Sequence, residues 1–213
     1  MSLAHWLAFV AAASLLLVIP GPTILTVISY SVSHGRRARL PLVAAVALGD
    51  STALAVSLAG LGALLAASAF WFTVVKTVGG LYLLYLGVRL LRAGVAGEAS
   101  GAAAVGATSA LGSRWKLFAN TYLVTALNPK GIVFFVAFLP QFIEPAAAVA
   151  PQLWILALSF VGLATLNACM YAAFAGSARA LLASPRAQRR FHFGGGLLLS
   201  TAGVWALLAR RPV

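Results

Sequence analysis

The chain has 213 residues, of which 62% are hydrophobic and only 8% are charged, and its mean hydropathy is +0.99. So little charge excludes a soluble domain of this size and predicts one integral membrane domain. The net charge of +12 does not indicate nucleic-acid binding, because the aromatic residues lie in apolar segments and not among the basic clusters. Cys169 is the single cysteine, which excludes an intrachain disulfide or a thiol redox pair.

Six apolar segments are long enough to be membrane-spanning helices, since about 20 residues cross the hydrocarbon. In chain order they are Leu3–Tyr30, Leu40–Ala67, Ala69–Leu91, Leu117–Leu139, Pro151–Ala173 and Phe193–Leu208. The first has no basic region before it, so we expect a retained span and not a cleaved signal peptide. The last is the shortest, and a five-span chain with one terminus inside is the alternative. The fold class predicted is an all-α integral membrane protein.

The basic residues cluster after the first, third and fifth segments. The clusters are Arg36, Arg37 and Arg39; Arg89, Arg92, Arg114 and Lys116; and Arg179, Arg186, Arg189 and Arg190. The positive-inside rule places these connections in the cytoplasm and both termini outside, although Arg210 and Arg211 oppose this at the C-terminus. The Gly-, Ala- and Ser-rich stretch 93–113 is expected to be a flexible cytoplasmic linker.

Two of the spans are interrupted by proline at corresponding places in the two halves of the chain. The interruptions are Pro20-Gly21-Pro22 in the first span and Asn128-Pro129-Lys130 in the fourth. A proline break within a membrane helix frees backbone groups that must find local partners. Paired breaks of this kind indicate the midplane binding site of a transporter.

Further similarities between the halves predict two inverted three-helix repeats. Spans three and six share a glycine pattern: Gly79-Gly80 then Gly87, and Gly195-Gly196 then Gly203. Glycines seven residues apart share one helix face and allow close packing. Spans two and five each carry one deep polar residue, Asp50 and Asn167. Three spans per half reverse the second half relative to the first, so the repeats are 1–92 and 117–213, joined by the linker 93–116.

Asp50 and Lys130 are the ionisable residues expected near the middle of the membrane. At ~1.5 Å per residue, Asp50 lies ~16 Å from Arg39, and Lys130 lies ~21 Å from Lys116. Asp50 could load and release a proton, and Lys130 could hold a substrate carboxylate, helped by helix ends at the breaks. Asp50 with freed carbonyls could hold a substrate ammonium group. The alternatives are an Asp50 bonded to freed backbone groups and a Lys130 that only snorkels or pairs with Asp50.

The remaining candidate pathway residues are polar neighbours of the breaks and the breaks themselves. They are Pro20, Gly21, Pro22, Thr23, Asn128, Pro129 and Asn167. A plain kink without ligand contact is the alternative for the prolines and Gly21, and a simple interhelical hydrogen bond is the alternative for Asn167. No phosphate-binding loop, metal-ligand spacing or hydrolase triad occurs in the sequence, so we expect no enzyme activity, no cofactor and no metal.

The ordered motifs of the chain resemble those of LysE/RhtB-type amino-acid exporters. They are Pro20-Gly21-Pro22-Thr23, Leu48-Gly49-Asp50, Leu81-Tyr82-Leu83-Leu84-Tyr85-Leu86-Gly87, Leu127-Asn128-Pro129-Lys130 and Leu139-Pro140-Gln141-Phe142. The resemblance implies a bacterial inner-membrane exporter of amino acids or close derivatives, driven by the proton gradient. Thr23 stands where the family often has Asn, and Ala45 where it often has Gly, and either could alter substrate choice.

Two other function classes remain open from the sequence. An inorganic-cation exporter would need clustered Asp, Glu, His or Cys, and a non-transporting scaffold or channel would leave the paired breaks and Asp50 without a role. The expected partners are a small zwitterion, protons and the lipid bilayer. A homo-oligomer is also possible, because helix faces exposed to lipid look alike in sequence.

Overall fold

A computed structural model describes residues 1–67, 69–96, 113–144 and 146–208 of the chain, and these residues form helices and no strand. The helices are α1 (Leu3–Val18), α2 (Pro22–His34), α3 (Arg39–Ala67), α4 (Ala69–Ala96), α5 (Arg114–Ala126), α6 (Pro129–Val133), α7 (Val149–Ala173), α8 (Ala175–Ala183) and α9 (Pro185–Leu208). Four helical stretches are long and apolar enough to cross a membrane, namely 22–60, 77–96, 114–142 and 149–173. The all-helical membrane class is therefore confirmed.

Both expected breaks are present. The first apolar segment divides into α1 and α2 at residues 19–21, and the fourth divides into α5 and α6 at residues 127–128. Pro22 and Pro129 each occupy the first turn of the following helix, where a missing N–H costs nothing. Beyond α6 the helix widens to a π-type turn at Phe134–Phe138 and tightens to a 3₁₀ turn at Leu139–Phe142.

Other boundaries differ modestly from expectation. α9 begins at Pro185 and has 24 residues, so this helix is longer than the apolar segment from Phe193 suggested, but it is not among the four stretches named above. α4 continues to Ala96, so the first residues of the expected linker are helical. At its other end the expected linker to residue 116 is also too long, because Ser113 caps α5 and the helix begins at Arg114. Residues 97–112 lie outside the described residues.

α4 packs most extensively against α9, through the glycines that the sequence singled out. A Cβ on Gly80 would lie 3.2 Å from the carbonyl oxygen of Gly203, and a Cβ on Gly87 would lie 2.7 Å from that of Gly196. The two helices run antiparallel at this contact, because the residue numbers rise along α4 from Gly80 to Gly87 while those of their partners fall along α9 from Gly203 to Gly196. The two glycine patterns therefore form one antiparallel interface in which the backbones nearly touch.

An aromatic core fills one end of the helix bundle. It joins α1, the irregular turns after α6, and α7, and its buried members are Phe9, Phe134, Phe135, Phe138, Phe142 and Phe160. The partly exposed Trp205 of α9 packs against Phe138 and Phe142. Phe135 and Phe160 meet edge to face at 4.7 Å between ring centroids. This core anchors α1 against the second half of the chain.

At the same end, Glu144 joins the loop before α7 to the first residues of α1. Its carboxylate accepts a hydrogen bond from the Ser2 backbone N–H at 2.7 Å and pairs with the terminal amino group of Met1 at 3.2 Å. His5 Nδ1 lies 3.0 Å from the same carboxylate. The Ser2 hydrogen bond and the amino-terminal charge lower the pKa of Glu144 from its usual 4.5 to about 2. The start of α1 and this loop therefore lie on the same side of the bundle.

Candidate functional site

A cavity of about 40 Å³ lies where the two broken segments meet α3 and α7. Six of the residues expected from the sequence line it: Gly21, Thr23, Asp50, Asn128, Lys130 and Asn167. The other lining residues are mostly apolar: Leu16, Leu17, Ile24, Val46, Gly131, Phe160 and Ala164. The cavity has room for a few water molecules. Pro20, Pro22 and Pro129 are not among the described lining residues, and they act by ending and starting the helices.

Lys130 caps the broken end of α1. Its Nζ donates hydrogen bonds to the carbonyl oxygens of Leu16 at 3.0 Å and of Ile19 at 2.9 Å. These carbonyls lack helical partners because Pro20 has no N–H and the backbone leaves the helical conformation at Ile19. The partial negative charge of a helix C-terminus favours a cation at this position.

Two neutral side chains from α7 complete the cap. Asn167 Nδ2 donates to the carbonyl oxygen of Leu17 at 3.1 Å, and the Tyr171 hydroxyl donates to that of Val18 at 3.0 Å. The last three carbonyls of α1 and the carbonyl of its C-cap, Ile19, thus all accept hydrogen bonds from side chains of the second half of the chain. Tyr171 was not predicted from the sequence, although its position four residues after Asn167 places both residues on one face of α7.

Asn128 connects the two breaks directly. Its Oδ1 accepts from the backbone N–H of Lys130 at 3.1 Å, which caps α6, and its Nδ2 donates to Thr23 Oγ1 at 3.2 Å. Thr23 lies in the first turn of α2. Thr23, one of the two departures noted in the sequence, therefore makes one of the hydrogen bonds between the two halves.

Gly21 leaves room for the Lys130 ammonium group. A Cβ at this position would lie 3.3 Å from Lys130 Nζ and 3.5 Å from Cε. The backbone of Gly21 is extended, with φ −112° and ψ −172°, and this conformation is open to any residue. A larger residue here would therefore press on the Lys130 ammonium group, whereas the backbone conformation itself does not require glycine.

Asp50 lies in the middle of α3 and is 8% exposed. It lines the same cavity as Lys130, yet the only two ion pairs recorded among the described residues are both made by Glu144. Asp50 and Lys130 therefore share the cavity without closing a direct pair within 4.0 Å. Lys130 therefore does not simply form a salt bridge with Asp50 in this conformation, as one interpretation of the sequence suggested.

Gly49 positions Asp50 by letting α5 approach α3. A Cβ on Gly49 would lie 2.7 Å from Thr125 Cβ and 3.1 Å from the carbonyl oxygen of Tyr122. One turn away, the Thr52 hydroxyl lies 3.1 Å from the Tyr122 hydroxyl. Close packing at Gly49 thus brings α5, and with it Asn128 and Lys130, next to Asp50.

The helices and the cavity define an integral membrane protein with a small polar site between two broken helical segments. A family model described as LysE type translocator matches residues 14–210, and the chain belongs to this family.

Several proteins are similar in sequence over two thirds of the chain or more. An "uncharacterized membrane protein" of Vibrio cholerae serotype O1 is 31% identical over 204 residues, 92% of this chain and 97% of the relative. The homoserine/homoserine lactone efflux protein of Salmonella typhimurium is 29% identical over 211 residues, 99% of this chain and all of the relative. The leucine efflux protein of Salmonella choleraesuis is 32% identical over 143 residues, 67% of this chain and 65% of the relative. No solved structure matches the chain.

Proposed function

We propose that the protein exports an amino acid or a close derivative from the cytoplasm in exchange for protons. The observation that carries the proposal is the convergence of Asp50, Lys130 and the broken end of α1 on one small cavity. A zwitterion presents a carboxylate and an ammonium group, and this cavity offers groups of both complementary charges. Relatives named as homoserine and leucine efflux proteins support the same substrate class.

In this proposal the pathway residues divide by charge. Lys130 and the N-terminal turn of α2 attract the substrate carboxylate, while Asp50 and the freed carbonyls of α1 attract its ammonium group. Thr23, Asn128 and Asn167 orient the substrate by hydrogen bonds. Because about 40 Å³ holds only a few water molecules, the helices must separate for the substrate to enter or leave.

Asp50 is the proposed proton carrier. It is the only acidic residue within an apolar span of this sequence, and it lines the substrate cavity. Binding of a proton and of the substrate at one place lets each release the other, which is the simplest basis for exchange.

Six transmembrane segments in two inverted repeats are the proposed architecture, with repeats 1–92 and 117–213 and a linker at 93–116. The antiparallel pairing of Gly80 and Gly87 with Gly203 and Gly196 supports it, because equivalent helices of inverted repeats meet in this way about a pseudo-twofold axis. The broken ends of the two halves also face one cavity.

The proposed location is the bacterial cytoplasmic membrane, with both termini outside. The contact of Glu144 with Ser2 and His5 is consistent with this topology, which requires the start of α1 and the loop before α7 to lie on the same side.

Reconstituted protein provides the test. Liposomes with an imposed pH gradient are challenged with a panel of amino acids, homoserine, its lactone and divalent metal ions. We expect accumulation of one or more amino acids, and Lys130→Ala should abolish it at normal protein level and insertion. Transport of metal ions alone would support a cation exporter, and no transport by the folded protein would support a scaffold. Parental export by a well-inserted Lys130→Ala protein would make Lys130 structural.

A further inference from the structure

We propose that the carbonyl oxygens of Leu16 and Ile19 form the subsite for the substrate's ammonium group, and that Lys130 Nζ fills this subsite as a tethered stand-in in the present conformation. The inference rests on the proposed function, because it assigns one half of the same zwitterion site. It assigns to Lys130 two positions, one with substrate and one without.

The chemistry of the two ammonium groups is the same. A primary ammonium has three N–H donors and no acceptor, whether it ends a lysine side chain or lies on the α-carbon of an amino acid. Lys130 uses two of these donors on the α1 carbonyls, at 3.0 and 2.9 Å. A subsite that accepts Lys130 Nζ in this way accepts a substrate ammonium by the same contacts.

The division of the α1 cap between neutral and charged donors supports an exchange. Asn167 and Tyr171 hold the carbonyls of Leu17 and Val18, and these two bonds do not depend on Lys130. The charged donor, Lys130, has a flexible side chain of four carbons. Lys130 lies at the start of α6 and lines the same cavity as Asp50. Lys130 can therefore leave the carbonyls without moving the backbone.

Exchange explains how the empty protein avoids unsatisfied carbonyls within the membrane. Without substrate, Lys130 satisfies Leu16 and Ile19, which would be costly to leave unpaired in hydrocarbon. With substrate, the incoming ammonium takes these carbonyls and Lys130 turns to the substrate carboxylate. One set of charge-assisted hydrogen bonds replaces another, so binding stays weak enough for release, as transport requires.

Chemical rescue tests the subsite without measuring transport. Lys130→Ala removes three carbons and the ammonium, a fragment equivalent to n-propylammonium. The full-length variant is purified with and without this amine, and its thermal unfolding midpoint is followed as the amine concentration rises, since a ligand of the folded state raises the midpoint. We expect half-saturation at a concentration at least about tenfold lower than for the parental protein, a factor equal to about 1.4 kcal/mol.

Two controls identify the group responsible. Tetramethylammonium has the same charge but no N–H, and it should not stabilise the variant. Lys116→Ala removes an exposed lysine from the start of α5, so n-propylammonium should affect this variant no more than the parental protein. Equal responses of Lys130→Ala and Lys116→Ala would overturn the inference. So would a Lys130→Ala protein that remains unfolded in the presence of the amine.

The result is independent of the export assay. If n-propylammonium stabilises Lys130→Ala but the parental protein transports no amino acid, the ammonium subsite is supported and the proposed function is refuted. If the parental protein exports amino acids but the amine does not stabilise Lys130→Ala, the proposed function is supported and the ammonium subsite is refuted.

Discussion

Gly195 on α9 offers a way to disturb the site from a distance. A Cβ on Gly195 would lie 3.0 Å from Ile19 Cγ2 and 3.3 Å from Ile19 Cδ1. The carbonyl of Ile19 is one of the two that hold Lys130 Nζ. Gly195→Leu should therefore push Ile19 away from α9 and weaken the Lys130 contact, although Gly195 itself does not line the cavity.

The expected magnitude follows from these distances. A Cβ alone already requires Ile19 to move by a few tenths of an ångström, and leucine adds three more carbons in the same direction. Overpacking of this kind costs about 1–3 kcal/mol, offset in part by the ~1 kcal/mol that a helix gains when glycine is replaced. Loss of a hydrogen bond from a charged group costs about 1.5–3 kcal/mol. Since about 1.4 kcal/mol is tenfold, we expect export to fall at least about tenfold.

The neighbouring glycine gives a matched control. Gly194 is exposed, and a Cβ there would meet no atom within 4 Å. Gly194→Leu and Gly195→Leu are compared in liposomes at equal protein content, with substrate export and the thermal unfolding midpoint as measurements. Gly195→Ala is the milder variant should leucine prevent folding. Equal export by the folded Gly194 and Gly195 variants would refute the connection from α9 through Ile19 to Lys130.

Three further predictions concern coupling, pH and orientation. Asp50→Asn keeps the side-chain shape but cannot ionise, so it should lose accumulation driven by a pH gradient while retaining exchange of labelled for unlabelled substrate; gradient-driven accumulation by the folded variant would exclude Asp50 as the coupling residue. The folded-state pKa of Glu144, about 2, is below its usual 4.5, so its contribution to stability is present above about pH 4.5 and is lost as the pH falls toward 2. The thermal unfolding midpoint of the parental protein should therefore fall more steeply over that range than that of Glu144→Gln, and parallel curves would show that the carboxylate contributes nothing. In a background without Cys169, a cysteine near Glu144 should react with an impermeant thiol reagent added outside and one near Gly101 should not; the reverse pattern would contradict the orientation with both termini outside.

Composition and local backbone chemistry allowed the sequence to determine the membrane class, the two helix breaks and most of the candidate site. A proline interrupts a helix at any position beyond the first turn, so breaks at Pro20–Pro22 and at Pro129, deep inside apolar segments, follow from the residues themselves. A polar residue in an apolar span is rare enough to be noticed without a structure, as Asp50, Lys130 and Asn167 show. The six polar and glycine residues chosen on these grounds all line one cavity.

Only the tertiary structure decided which donor meets which carbonyl. Lys130 is 114 and 111 positions from its two acceptors, and Tyr171 is 153 positions from Val18, so their pairing depends on how distant helices pack. Lys130 could equally have paired with Asp50, since both line the same cavity, but the free carbonyls at the end of α1 were nearer and unsatisfied. Close helix packing at glycines such as Gly49 brings these elements together, and hydrogen bonds form only where the resulting distances are close to 3 Å.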